Sequence, residues 1–362
     1  MTSSPDAKST GHLSDDAGPA TSGPTGNTTG RLGEDAGHAT SSPDVVLLGD
    51  VMVDMLARLE GPLMHGSDSP ARITAHGGGA AANTAGWLVE AGARATLIGR
   101  VGSDAAGRSI EADLRKAGVD VRFTADPDLA TGVVMVLVDP DGERTMIPDA
   151  GANASLRAAH LPREVFRAGA HLHLSGYTLL KPQSRAAGLA ALELARGSGM
   201  TVSVDAASAG PLASVGPRRF LDWIAGADLL FANRQEALLL AGVADPPHAA
   251  ARILAAHVGT AVVKLGAAGA LAQRSDGAFA HVTADTEAGR ESPVVSSAEP
   301  DAAGLDAPYL DTTGAGDAFA AGFLVAWLGA APLEAALTAG AALAARAVRT
   351  PGGRPRRTGR VV

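Results

Sequence analysis

The chain has 362 residues, 46% of them hydrophobic but only 3% aromatic, enough to bury one large aliphatic core. Its formal net charge of -8 provides no global field for nucleic acid or anionic lipid, so any phosphate has to be held by a local device. The absence of cysteine excludes disulfides, thiolate metal sites and cysteine nucleophiles.

Residues Met1 to Pro43 are rich in Ser, Thr, Gly, Asp and Pro with almost no large apolar side chain, and they read as a disordered tail. The tail holds no apolar run long enough for a signal peptide. No later segment approaches the ~18 uninterrupted apolar residues of a membrane span, so a cytoplasmic protein with no membrane partner is expected. From Asp44 onward aliphatic runs read as strands over Val45 to Leu48, Ala95 to Ile98, Val133 to Val138, Leu172 to Leu174, Thr201 to Val204, Leu229 to Phe231 and Ala261 to Leu265. Between most of them lie helical patterns, over Thr84 to Ala91, Ala106 to Ala117, Arg185 to Arg196, Gln235 to Ala241 and His248 to His257. This alternation predicts βαβ units and a mostly parallel sheet covered on both faces, a three-layer α/β/α domain over residues 44–362. Met52 to Thr74 and Asp120 to Met146 break the rhythm with β-like segments, the second containing an Asp141-Gly142 hairpin turn, and are expected to pair as a small accessory sheet. Thr283 to Ala307 is acidic and unpatterned and reads as an exposed loop.

The stretch "DTTGAGDAFAAGFLVAW", Asp311 to Trp327, places a charge at the mouth of an apolar helix running from about Ala315 to Leu328. The first N–H groups of a helix lack intrahelical acceptors and the peptide dipoles add partial positive charge there, so that end attracts anions. Gly314 and Gly316 have no Cβ, which lets a phosphoryl group approach the bare backbone of Gly314, Ala315, Gly316 and Asp317. A carboxylate beside a phosphate is repulsive unless the phosphate is being transferred; Asp317 then has a use as general base toward an attacking hydroxyl. Taken alone, an acid in the first turn more often serves only the dipole or a cap. No Walker loop, nucleophile elbow or dinucleotide fingerprint elsewhere offers a competing site.

With its neighbours, "DTTGAGDAFAAGFL" resembles the C-terminal signature of the ribokinase-like (PfkB) carbohydrate kinases. "VVLLGDVMVD", "HGGGAAANTAGWLVEAGARATLIGRVGSDAAGRSI", "GANASL", "HLSGYTLL", "NRQE" and "VVKLGAAGA" follow in that family's order, so the resemblance runs from Val45 to the end. It implies a ribokinase-like domain whose small sheet is a lid, and an ATP-dependent kinase acting on a primary hydroxyl of a sugar or sugar-like molecule. Asp54, Gly78, Gly79 and Asn83 match the substrate-binding positions; Ala80 stands where a lysine is usual, which turns the expectation away from ribose itself. Asn233 and Glu236 match the motif that orders Mg2+ through water, and Lys264, Gly266 and Gly269 match the nucleotide-binding turn. Asp311 and Thr313 lie where relatives bind a monovalent cation such as K+. Homodimerisation through the lid is the implied partner arrangement. A nucleoside kinase of the same fold is the alternative, and a non-catalytic sugar-binding regulator is a rival that the intact Asp317 disfavours.

Other residues read as structural. His171 and His173 share a strand face without a third ligand and are expected to pack rather than bind metal. Trp87 and Trp327 fall in apolar helices and are expected in the core, and Arg144, in the accessory hairpin, reads as a solvated charge outside the site.

Overall fold

A computed structural model describes residues 42–283, 312–350 and 352–355. The tail expected before residue 42, the loop expected after Thr283, and Asp311 lie outside the described residues. The chain forms β1 (Asp44–Leu48), β2 (Met52–Leu59), β3 (Ala71–Gly78), α1 (Ala80–Glu90), β4 (Arg94–Gly102), α2 (Ala105–Lys116), β5 (Asp120–Asp126), β6 (Gly132–Val138) and β7 (Arg144–Asp149). It continues with β8 (His171–Ser175), α3 (Tyr177–Leu180), α4 (Arg185–Gly197), β9 (Thr201–Asp205), α5 (Ala209–Val215), α6 (Pro217–Ile224), β10 (Leu229–Asn233), α7 (Arg234–Ala241), α8 (Pro247–Leu254) and β11 (Thr260–Lys264). The last elements are β12 (Ala270–Arg274), β13 (Phe279–Val282), α9 (Ala315–Leu328) and α10 (Leu333–Ala347).

Strand alternation builds two cores. In β1, Val46 and Leu48 face a cluster shared with Leu192, Phe220, Leu240 and Leu254 of α4, α6, α7 and α8. Val45 and Leu47 face the opposite cluster, shared with Trp87, Leu114, Phe323 and Leu337 of α1, α2, α9 and α10. A period of two thus feeds both helix layers, giving the expected three-layer α/β/α arrangement. The nine-stranded sheet runs β13-β12-β11-β10-β9-β8-β1-β4-β5, antiparallel only at its β12 and β13 end.

A four-stranded sheet in the order β3-β2-β6-β7 stands apart from the large one. Its extent differs from expectation. The segment from Asp120 begins with β5, which pairs parallel to β4 at the edge of the large sheet, from Thr96↔Asp120 to Gly102↔Asp126. The physical reason is the β4-α2-β5 crossover: Val121 is buried in the α1/α2 core, and a parallel partner is reached by the usual helical return. The small sheet instead runs through Gly78 and Asp149.

From β1 the chain moves outward through β4 and β5, then crosses back to β8 and continues on the other side. The order reverses beside β1, and ligands of such sheets bind beyond the strands' carboxyl ends at that crevice. Asp50 follows β1, while Ser175, Asp205, Asn233 and Lys264 end β8, β9, β10 and β11 at that rim.

Candidate active site

Helix α9 starts where the sequence predicts, with Gly314 in the left-handed region (φ 74) and no side-chain cap. A Cβ on Gly314 would overlap the Gly353 backbone, so the position requires glycine on two counts. Ala315 N–H donates to the Thr312 carbonyl at 3.3 Å, and the first intrahelical bond runs from Ala318 N–H to the Gly314 carbonyl at 2.8 Å. Helix geometry leaves the N–H groups of Gly316 and Asp317 without an intrahelical acceptor, narrowing the anion-facing pair expected from Gly314 to Asp317.

Asp317 is partly buried in the first turn, and desolvation pushes its carboxyl up to about 7. A hydrogen bond from Asn83 Nδ2 to Asp317 Oδ2 at 2.9 Å and the Lys264 charge oppose that rise, while Asp205 and Asp50 add to it. A base poised near neutrality can take a proton and return it.

The residues expected to bind substrate sit together. A Cβ on Gly78 would overlap the Asp54 carboxylate, and one on Gly79 (φ 92) would overlap the Asp50 carbonyl. The glycines let β3 pass close over these acids. Asn83 is buried on α1 and spends its amide on Asp317 and on Arg354, whose Nε donates to Asn83 Oδ1 at 3.3 Å.

On the other side of Asp317, Lys264 Nζ donates to Asp205 Oδ2 at 2.8 Å and lies beneath Gly316, where a Cβ would come within 3.3 Å of it. Asp205 would rise on burial, but the Lys264 charge and hydrogen bond hold it below the usual carboxylate range. Asn233 and Glu236 form a capping box at the start of α7: Glu236 Oε2 accepts from Asn233 N–H at 2.8 Å and Oε1 accepts from Asn233 Nδ2 at 2.6 Å. Burial pushes Glu236 up to about 7, and Asp205 adds to the rise. Among the described residues no three acidic or histidine side chains are grouped to chelate a bare ion. Such sparse, oxygen-bearing donors fit a magnesium ion, which would keep most of its water. Gly266 (φ 62) and Gly269 (φ 96) bound a tight turn straight after Lys264, with open space over Gly266.

Arg144 corrects the reading of it as a solvated charge. Its Nη1 donates to Thr313 Oγ1 at 2.8 Å, tying β7 of the small sheet to the segment that enters α9. The histidines do pack. Thr201, His171, Ser203 and His173 form a buried hydrogen-bonded ladder, and burial drops the imidazoles to about 3 and about 4, leaving both neutral. Trp87 is buried with its indole donating to the Gly353 carbonyl at 2.9 Å, and Trp327 is half-buried edge-on to His171.

Three charged residues escaped the sequence reading. Asp50, pushed up to about 6 by burial, precedes Asp54 within the same quoted motif. Asp205 ends a strand that the aliphatic run predicts one residue short, and its place at a parallel strand's carboxyl end is the available signal. Arg354 lies in a Gly/Pro-rich C-terminal stretch with no pattern to mark it.

A family model described as pfkB family carbohydrate kinase matches residues 42–288 and 306–358. The chain is 32% identical to the ATP-dependent ribose-1-phosphate kinase of Halopiger xanaduensis, over 81% of this chain and 88% of that one. It is 33% identical to a fructokinase of Klebsiella pneumoniae, over 77% and 82%. In structure it is similar to adenosine kinase from Sinorhizobium meliloti, with TM-score 0.73 and 26% identity over 87% and 96% of the two chains. Among the described residues no helix is long and apolar enough to cross a membrane.

Proposed function

The chain belongs to the pfkB family of carbohydrate kinases, and from that membership we propose that it transfers the γ-phosphoryl group of ATP to a primary hydroxyl of a sugar-bearing acceptor, with Asp317 as base. The observation that carries the reading is the Asp317 carboxyl, held by Asn83 in the first turn of a helix whose glycine mouth lies against Lys264 at the end of β11. Asp317 takes the hydroxyl proton as the oxygen bonds to the γ-phosphorus; the bond from that phosphorus to the β–γ bridging oxygen breaks and ADP leaves. The N–H groups of Gly316 and Asp317 receive the equatorial charge of the transferring group. A magnesium ion bound with the nucleotide would supply positive charge to offset that of the phosphates. Asp205, Asn233 and Glu236 would hold its water shell. The Gly266 to Gly269 turn would run along the nucleotide, and Thr313, with Asp311, would hold a monovalent cation.

Asp54 accepts from acceptor hydroxyls under a lid formed by β2, β3, β6 and β7, and Arg144 is the lid's link to the anion-facing turn. Asp54→Ala is expected to lower acceptor kcat/KM ~10-fold to 100-fold, the loss of charge-assisted hydrogen bonds, while binding of an ATP analogue barely moves. Equal losses for both ligands would count against the assignment. The relatives' names span a phosphosugar, a free sugar and a nucleoside. A thermal-shift panel of those three classes, each with and without Mg2+ and an ATP analogue, identifies the acceptor, since a true ligand stabilises by mass action. Stabilisation by none of them would overturn the kinase reading.

On one face of the small sheet the lid exposes Ile73, Met135 and Ile147 at 46–58% of their surface. Such a patch favours a second copy of this chain as its cover. Sedimentation is expected to report a dimer that Met135→Glu with Ile147→Glu converts to monomer; a wild-type monomer at micromolar concentration refutes it.

A further inference from the structure

The C-terminal segment 352–355 is built into the site. Trp87 Nε1 anchors the Gly353 carbonyl, and Arg354 Nη2 donates to the Gly78 carbonyl at 2.6 Å while its Nε donates to Asn83 Oδ1 at 3.3 Å. Glycines clear the path: a Cβ on Gly77 would strike the guanidinium, one on Gly353 would strike the Asn83 amide, and one on Gly314 would strike Gly353. We propose that Arg354 is a positioning residue for phosphoryl transfer, locking the Asn83 amide so that its NH2 stays on Asp317 Oδ2 and the acceptor's proton is taken at Oδ1.

The logic is donor and acceptor chemistry. Arg354 has only donors, so the atom of Asn83 that faces it has to be the oxygen, and the nitrogen is thereby turned to Asp317. An asparagine without this lock is free to flip once Asp317 gains a proton and can itself donate. With Arg354 in place the amide keeps one orientation through the catalytic cycle. Asp317 is faced by Asp50, Asp205 and Lys264 from the strand ends and by Arg354 from the C-terminal segment; Arg354 in turn faces Asp54 of β2 and Asp113 of α2. Burial lowers Arg354 to about 10, which leaves it a cation throughout the working range.

This inference rests on the reading of Asp317 as base, and the test separates the two. Using the full chain with the acceptor from the panel, Arg354→Met is expected to lower kcat ~10-fold to 100-fold, with ATP-analogue affinity within ~3-fold of wild type. The acid limb of its kcat profile moves upward by up to about one pH unit. Asn83→Ala is expected to give the same loss, and the double variant no more than either alone. Wild-type kcat and acid limb in Arg354→Met, or losses that multiply in the double variant, overturn the relay. If Arg354→Met does not fold, Arg354→Lys enters the same cycle, and a loss that persists undiminished in the Asn83→Ala background overturns it. Turnover retained by Asp317→Asn defeats the base reading itself, whereas an inactive Asp317→Asn beside a wild-type Arg354→Met defeats only the relay.

Discussion

Asp317→Asn is expected to lower turnover ~10²-fold to 10⁴-fold while leaving ATP-analogue binding nearly intact, because the amide keeps the shape of the helix mouth and loses only the proton acceptor. The same substitution should raise stability at pH 8. Burial pushes Asp317 up from an ordinary carboxyl to about 7. A group whose pKa is raised on folding contributes stability at pH below its unfolded value and loses it as pH rises through the folded value. Between about pH 4 and pH 7 the wild-type protein without ligands therefore gives up stability at this side chain, and a neutral asparagine does not. Glu236 and Asp50, raised to about 7 and about 6, act in the same direction. The variant is expected to gain ~1 kcal/mol or more at pH 8 and little at pH 5. Turnover at the wild-type rate would remove Asp317 from the mechanism, and an unchanged melting temperature at pH 8 would remove the argument about its burial.

What the sequence made legible follows from how strongly local physics constrains each part. The α9 boundaries are readable because Gly314 and the apolar run after Asp317 admit no other helix start, and β1 because four consecutive aliphatic residues serve two buried faces. The edge strand β5 is less readable, since of Asp120 to Asp126 just Val121 and Asp126 are buried, which leaves it as open as a strand of the small sheet. Only the crossover through α2 decides it. Within the site, Asp54, Asn83 and Asp317 stand in motifs, but their relations do not. That Asn83 serves Asp317, that Lys264 serves Asp205 and that Arg144 reaches Thr313 are contacts between residues 59 to 234 apart in the chain. Such pairs leave no local pattern, and Arg354, 271 residues from Asn83, shows the same limit.

Lys264 carries the other large expected effect. Its ammonium and the Asp205 carboxylate meet at 2.8 Å with side chains only 17% and 16% exposed, between Glu236 and Asp317. Lys264→Met fills the space but leaves Asp205 a buried anion facing two further carboxyls, a defect worth ~3 to 5 kcal/mol. The melting temperature at pH 8 is expected to fall by roughly 5 to 15 °C for a domain of this size. The pH dependence gives the cause away. With Lys264 present Asp205 is depressed, so its contribution is held above the ordinary carboxyl range and lost only as pH falls through its low folded value. Without the cation burial raises Asp205, and the variant recovers toward wild type as pH drops from 8 to 5. Lys264 also holds Asp317 down, so the variant's residual activity should require a higher pH than the wild type's. Adding Asp205→Asn is expected to restore the melting temperature without restoring phosphoryl transfer, because it relieves the stranded charge and removes a carboxylate proposed to hold the magnesium water shell. A Lys264→Met protein that melts with the wild type at pH 8 would show that the pair is solvated and that the carboxyl cluster around Asp317 is not held together by this cation.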